Sequence, residues 1–369
     1  MQESICIEKL CKRIYAGGDV PKDRFSEVKT EEFTVPIYAN AERDEGLYGY
    51  TDEAREYEPS VTVAARGTIG YTAIRTEPFV PVVRLITVVP KQELVDLRYM
   101  HYALKSCKPK SSGTSIPQLT VPDIKKYSFG VPSKDEQIFI VGILDSVQNI
   151  IDKRRKEIEE LDNLIKSRFV ELFGNPDINE QKWEICKLEA LCDVGSSKRI
   201  YQSEQSLTGI PFLRISDLVN RMDNGSLECD LFIPETRYEE LKEQGLVPQS
   251  GDILLTARGT LGRCYIVKED DEFYFQDGMI TWLSHYDSRV TPLYISYLFE
   301  MPGFRKQIDA LQAGSTVAYL SIAMAKKLDV MVPSIDAQNQ FADFVTLVDK
   351  LKFDAQRVTK GTRMLLFVF

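Results

Sequence analysis

Arg66 and Arg258 occupy nearly identical settings in this chain. The first stands in Ala64-Ala65-Arg66-Gly67-Thr68-Ile69-Gly70, the second in Thr256-Ala257-Arg258-Gly259-Thr260-Leu261-Gly262. A guanidinium is a planar fork of donors, suited to a phosphate or to the O6/N7 edge of a guanine. Thr68 and Thr260 add groups that hydrogen-bond a nucleic-acid backbone. The plainer reading is a hairpin in which glycines permit positive-φ geometry and the arginine is a surface charge.

Other cations gather at Lys105, Lys108 and Lys110, at Lys125-Lys126, at Lys198-Arg199 and at Lys326-Lys327. Singly, each reads as a solvated surface cluster. Lys108, Lys110, Lys198 and Arg199, with Arg214 in the segment 210–217, join Arg66, Thr68, Arg258 and Thr260 as candidate DNA contacts. A net charge of −9 argues mildly against nonspecific nucleic-acid binding but leaves room for local patches.

Self-contained catalysis has little to build on. No Gly-x-x-x-x-Gly-Lys-Ser/Thr loop, Gly-x-Gly-x-x-Gly loop or Asn/Asp-Pro-Pro-Tyr/Phe segment occurs. With His101 and His285 the two histidines of the chain, the composition argues against a zinc centre or a histidine triad. Pro176-Asp177 with Glu180-Gln181-Lys182 has nuclease-like letters, but at a helix end and too close together for adjacent strands. The seven cysteines form no Cys-x-x-Cys pair and read as small buried hydrophobes of a reduced chain. The expectation is a non-enzyme with no catalytic, metal or cofactor residue.

The elements that must position these residues are also repeated. Leu119-Thr120, Val131-Pro132, Asp135 and Gln137 return as Leu320-Ser321, Val332-Pro333, Asp336 and Gln338. A period near half the chain implies two similar domains related by pseudo-symmetry. With 43% hydrophobic and 27% charged residues, each half can bury its own core. The most apolar run, 79–89, is cut by Pro81 and Arg84 and reads as buried strands, not a membrane span. With no leader visible, the cytoplasm is the expected location.

Residues 1–133 read as strand-rich, with strands at 33–37, 60–65 and 82–89 and a helix over 94–105. From 134 to 174 the texture changes. Leu144, Ile151, Ile158, Ile165 and Leu172 stand seven apart, with Val147, Arg154, Leu161 and Arg168 between them, which predicts a coiled-coil seam. Ser133 and Glu136 have capping-box spacing, and Gly174-Asn175-Pro176 stops the helix. Residues 175–335 repeat the first domain, with a helical stretch over 292–311. A second helix begins at Asp336 within 336–369, its seam read as Phe341, Phe344, Val348, Leu351, Ala355 and Val358, and Gly361 is expected to break it. The fold class expected is α+β: two similar strand-rich domains separated by two long helices packed as an antiparallel coiled coil.

The whole chain resembles the specificity subunit of type I restriction–modification systems. The resemblance is carried by Tyr48-Gly49-Tyr50 ahead of Val63–Gly70, by the second copy over 256–262, and by the two Val-Pro entries into long helices. Leu172-Phe173-Gly174-Asn175-Pro176 closes the first helix in the same manner. It implies two target-recognition domains, each reading half of a split target in double-stranded DNA, and spacer helices that fix the gap. It also implies two methyltransferase (modification) subunits docked on those helices, and Leu144, Ile151, Ile158, Leu161, Ile165, Phe341, Phe344, Val348 and Leu351 are the candidate coiled-coil or partner-interface positions. Restriction subunits would join them, and S-adenosylmethionine, ATP and Mg would sit on these partners. The two domains differ between 35–40 and 210–217, so a non-palindromic target is expected. The second helix, shorter than the first, leaves native and truncated readings open. The competing reading is a coiled-coil assembly protein whose domains bind proteins.

Overall fold

The computed structural model describes residues 4–107, 118–226, 228–312 and 318–365. They form two compact units, Met1–Arg155 with Gln356–Phe369, and Lys156–Ala355. The first contains β1 (Ser4–Cys6), α1 (Ile7–Leu10), β2 (Cys11–Ala16), β3 (Val35–Tyr38), β4 (Leu47–Thr51), β5 (Ser60–Val63), β6 (Thr72–Arg75), β7 (Val80–Pro81), β8 (Ile86–Pro90), α2 (Leu97–Ser106), α3 (Val121–Lys125), β9 (Ser128–Gly130) and the beginning of α4 (Lys134–Phe173). The second continues α4 and adds β10 (Glu184–Lys187), β11 (Asp193–Gly195), β12 (Ile210–Leu213), α5 (Ile215–Asn224), β13 (Phe232–Ile233), α6 (Glu235–Glu243), β14 (Ile253–Thr256), β15 (Cys264–Ile266), β16 (Tyr274–Phe275), β17 (Ile280–Ser284), α7 (Pro292–Glu300), α8 (Pro302–Leu311), α9 (Ile322–Lys326), β18 (Asp329–Val332) and most of α10 (Ile335–Leu365).

The strand orders coincide. The first unit has sheets β2-β8-β5-β6, β4-β3-β7 and β1-β9; the second has β11-β17-β14-β15, β13-β12-β16 and β10-β18. Among the named strands of the described residues, the parallel pairs are β3–β7 and β12–β16, again at matching places. The inner strands β5 and β14 are buried on both faces; Ile-Leu-Leu-Thr accordingly reads as a continuous apolar run, while Ser-Val-Thr-Val alternates with small hydroxyl side chains that are buried too. The four-stranded sheet of each unit packs on a core that includes the helix after it: Val61, Val88 and Met100 in one unit, Ile253, Leu283 and Tyr294 in the other. The second unit adds α5 and α6 around β13, where the first has only the turn Arg43–Gly46 and β4.

Ser133 and Glu136 form the expected capping box, with the Ser133 amide donating to the Glu136 carboxylate at 2.9 Å. The 40-residue α4 runs about 60 Å. Its buried line is Leu144, Val147 and Ile151, then Ile165, Phe169 and Phe173. A straight helix of 3.6 residues per turn drifts against a seven-residue repeat, so the seam passes from 168 and 172 to 169 and 173. The same drift moves α10. Phe341, Val345, Val348 and Ala355 are buried, while Leu351 is half exposed and flanks the seam. Within the second unit the two helices pack antiparallel. Phe173 and Phe169 meet Phe341, Arg168 lies over Phe344, and Asp162 holds Lys352 at 2.6 Å.

Three sequence expectations change. The stretch 292–311 is two helices, because Pro302 forces Met301 into an extended conformation and opens α8. Residues 82–85 are a turn rather than the start of β8. Gly361 does not end α10, which continues to Leu365; one exposed glycine costs a helix only about 1 kcal/mol.

Candidate nucleic-acid interface

Each Arg-Gly-Thr segment is the connection between two antiparallel strands, β5–β6 and β14–β15. In the first, the Gly70 amide donates to the Ala64 carbonyl at 2.9 Å and Ala64 donates to Tyr71 at 2.8 Å. In the second, Gly262 donates to Thr256 and Thr256 to Arg263, both at 2.9 Å. Gly67, Gly70, Gly259 and Gly262 all have φ between 68° and 86°, a region closed to most side chains. The repeated glycines therefore answer to backbone geometry. In the second loop the Thr256 hydroxyl also donates to the Thr260 carbonyl at 2.5 Å.

The remaining echoes are framework as well. The Ala65 carbonyl accepts from the Leu119 amide and Ala257 from Leu320, each at 2.9 Å. Thr120 and Ser321 then cap α3 and α9. Gln137 and Gln338 are buried latches. Gln137 donates to Pro132 and Leu94 carbonyls and accepts from the Asp96 amide; Gln338 donates to Pro333 and Arg289 and accepts from Thr291. Asp96 and Thr291 are the N-caps of α2 and α7, so each glutamine fastens the entry of a long helix to its own domain.

What these frameworks present is cationic. Arg66 and Arg258 are exposed, and neither forms an ion pair among the described residues. Arg66 donates to Gln118 at 2.8 Å, and Arg258 lies over the Tyr319 ring at 5.0 Å. Thr68 and Thr260 stand exposed beside them, and Lys198 is exposed. Arg199 is held by Asp277 at 2.9 Å. Arg214 is committed to Asp217 and Asp230, so its charge is largely spent within the domain. Lys108 and Lys110 lie outside the described residues. A pocket of about 760 Å³ in the first unit brings Arg66 together with Lys22 and Arg84. Sequence reading missed this grouping, because nothing in spacing alone joins residues 22, 66 and 84.

Among the described residues no cluster of His, Cys, Asp and Glu has the makings of a metal site, and no helix is long and apolar enough to cross a membrane. The nuclease-like letters are structural: Glu180 accepts from the Asn175 amide at the end of α4, and Lys306 neutralises Asp177. All seven cysteines are free, and burial pushes Cys11 and Cys192 up to about 12.

The duplicated fold matches a known family. The model for the type I restriction modification DNA specificity domain covers residues 3–163 and again 180–360. This chain belongs to that family. Each match takes in one strand-rich domain and most of the long helix after it. Among specificity relatives, a putative type I specificity subunit of Mycoplasma pneumoniae is 34% identical over 168 residues, 42% of this chain and 50% of that protein. A second from the same organism is 34% identical over 157 residues, 42% of this chain and 43% of that one. The aligned part is thus about half the length of these specificity relatives. The crystal structure of a type I restriction-modification S subunit from M. genitalium superposes with a TM-score of 0.54 at 17% identity, covering 99% of this chain and 94% of that one. That likeness concerns the specificity fold.

Proposed function

We propose that the chain is the non-catalytic DNA-reading subunit of a type I restriction–modification complex in the cytoplasm. Each strand-rich domain reads one half of a bipartite, non-palindromic target. The observation that carries this reading is the repetition of one framework, strand order and Arg-Gly-Thr loop together, with divergent segments between β3 and β5 and between β12 and β14. Shared parts set a common stance on DNA; different parts choose different bases.

In this reading Arg66, Thr68, Arg258 and Thr260, with Lys198 and the cluster around Lys108 and Lys110, engage the duplex. Arg199 and Arg214 act through their ion pairs as framework of the second domain. The long helices set the distance between half-sites and dock two modification subunits, along faces that include Ile158, Leu161 and Leu351. Restriction subunits attach through those. S-adenosylmethionine, ATP and Mg belong to the partners, and domain boundaries at 1–133, 134–174, 175–335 and 336–369 divide readers from spacers.

Methylome sequencing of a host that carries this chain with its modification partner tests the reading. The expected result is one methylated motif of two unlike parts at a fixed gap. A palindromic motif, or one without a gap, contradicts it.

A further inference from the structure

The connection from β7 to β8 holds a β-branched residue in strained backbone. Residues 82–85 form a β-turn closed by the Leu85 amide on the Val82 carbonyl at 3.0 Å. Its two central residues, Val83 and Arg84, have φ of 52° and 62°. Such a turn suits Asn-Gly, and a β-branched valine there is a genuine outlier. Outliers of this kind persist only where the surroundings hold them in place.

The surroundings do. The Val83 amide donates to Gly18 at 2.8 Å, Arg84 to Gly17 at 3.1 Å, and Gly17 donates back to Leu85 at 2.8 Å. A Cβ on Gly17 would sit 2.5 Å from the Pro81 carbonyl, so only glycine allows this approach. Asn40 completes the clamp, donating to the Val83 carbonyl at 2.5 Å and accepting from the Ala65 amide at 2.7 Å. The turn is thereby tied to the strand end that carries Arg66.

The second domain supplies the control. Its counterpart, Gln276-Asp277-Gly278-Met279, also links the strand parallel to its neighbour (β16) to β17. There the left-handed position is Gly278, at φ 70°, and Asp277 has an ordinary φ. The fold does not require strain at this place. What the first domain keeps by tolerating it is two exposed side chains, Val83 and Arg84, on the rim of the pocket that also holds Arg66 and Lys22. Asp19 is the one acid in that lining, and among the described residues Arg84 makes no ion pair.

We propose that the Val83-Arg84 turn reads bases for the first domain, with Arg66 and Lys22 on the flanking phosphates. An arginine on a guanine edge and a valine against a thymine methyl are the contacts these side chains make in a groove. The assignment rests on the DNA-reading role and is testable apart from it.

The experiment selects from a pool of random-sequence duplex DNA with the complex of this chain and its modification subunits. Val83→Asn/Arg84→Gly gives the turn its preferred residues. It should raise the melting temperature by about 2–4 °C, lose one part of the selected motif and keep the other. Arg84→Ala should weaken binding to the wild-type motif about 10- to 100-fold while leaving bulk random duplex within a few-fold. A double variant that is less stable, or that selects the full motif unchanged, overturns the assignment alone. An equal loss on all duplexes assigns the turn to the backbone and overturns base reading. A wild-type complex that selects no motif removes the DNA-reading role and this assignment with it.

Discussion

At the scale of single residues, the repeated letters divide into those that hold the chain and those that face outward. Gly67, Gly70 and their counterparts are fixed by positive φ, which a sequence announces through glycine itself. Asn40 and the Val83-Arg84 turn gave no such signal, because their partners are distant in sequence and the strained residues are not glycine. Replacing Arg66 and Arg258 by alanine should lower affinity evenly across sequences and reduce the salt slope by about 1 for each of the two that neutralises a phosphate. Affinity titrations over a range of salt check this; an unchanged slope places both arginines off the DNA. Glu56 offers a stability test in the first domain. It is buried, accepts from the Tyr57 and Glu58 amides at 2.9 Å and from Tyr15 at 2.8 Å, and pairs with Arg13. Burial opposes its charge, but Arg13 and these donors outweigh it and hold its carboxyl below the usual range. A depressed carboxyl stabilises the fold above its unfolded pKa of about 4.3 and loses that contribution as pH falls through the folded value. Glu56→Gln should cost about 2 kcal/mol at neutral pH, and the difference from wild type should shrink in urea titrations below about pH 4.

At the scale of elements, type and order were legible, since periodicity and capping spacing are local properties. The seam was legible only in part. A heptad written on paper keeps 168, 172, 344 and 351 in line, but the helix turns 169, 173 and 345 inward, while 341, 348 and 355 stay buried as the heptad has them. Phe169 shows what this means, because it is fully buried against Phe173, Tyr294 and Phe341. Phe169→Ala should cost about 3–5 kcal/mol in the second unit, whereas Leu351→Ala should stay within about 0.5 kcal/mol of wild type in stability. Equal losses would restore the paper heptad. Gln137 and Gln338 test the helix entries. Gln137→Leu strands the Asp96 amide and two carbonyls and should destabilise by about 2 kcal/mol, with Gln338→Leu costing a similar amount. Hydrogen exchange should then show faster opening at the starts of α2 and α4, or of α7 and α10; protection left intact there contradicts the latch.

At the scale of the whole molecule, the duplication was the clearest signal in the sequence, and the coincidence of strand orders gives it structural form. A net charge of −9 is, taken alone, unfavourable for a DNA reader. Much of that acid is spent on internal pairs, as at Asp217, Asp230 and Asp277, while Arg66 and Arg84 have no acidic partner among the described residues. Which bases each domain chooses was not legible, because readout depends on the few side chains that reach a groove. The central claim is that one chain reads two separate half-sites. Footprinting of its complex with modification subunits on the methylated motif is the most direct test. Two protected blocks of unlike sequence, parted by a spacer whose sequence is free and whose length is fixed, are the predicted result. One continuous protected block, or a footprint with no sequence preference, would contradict the account.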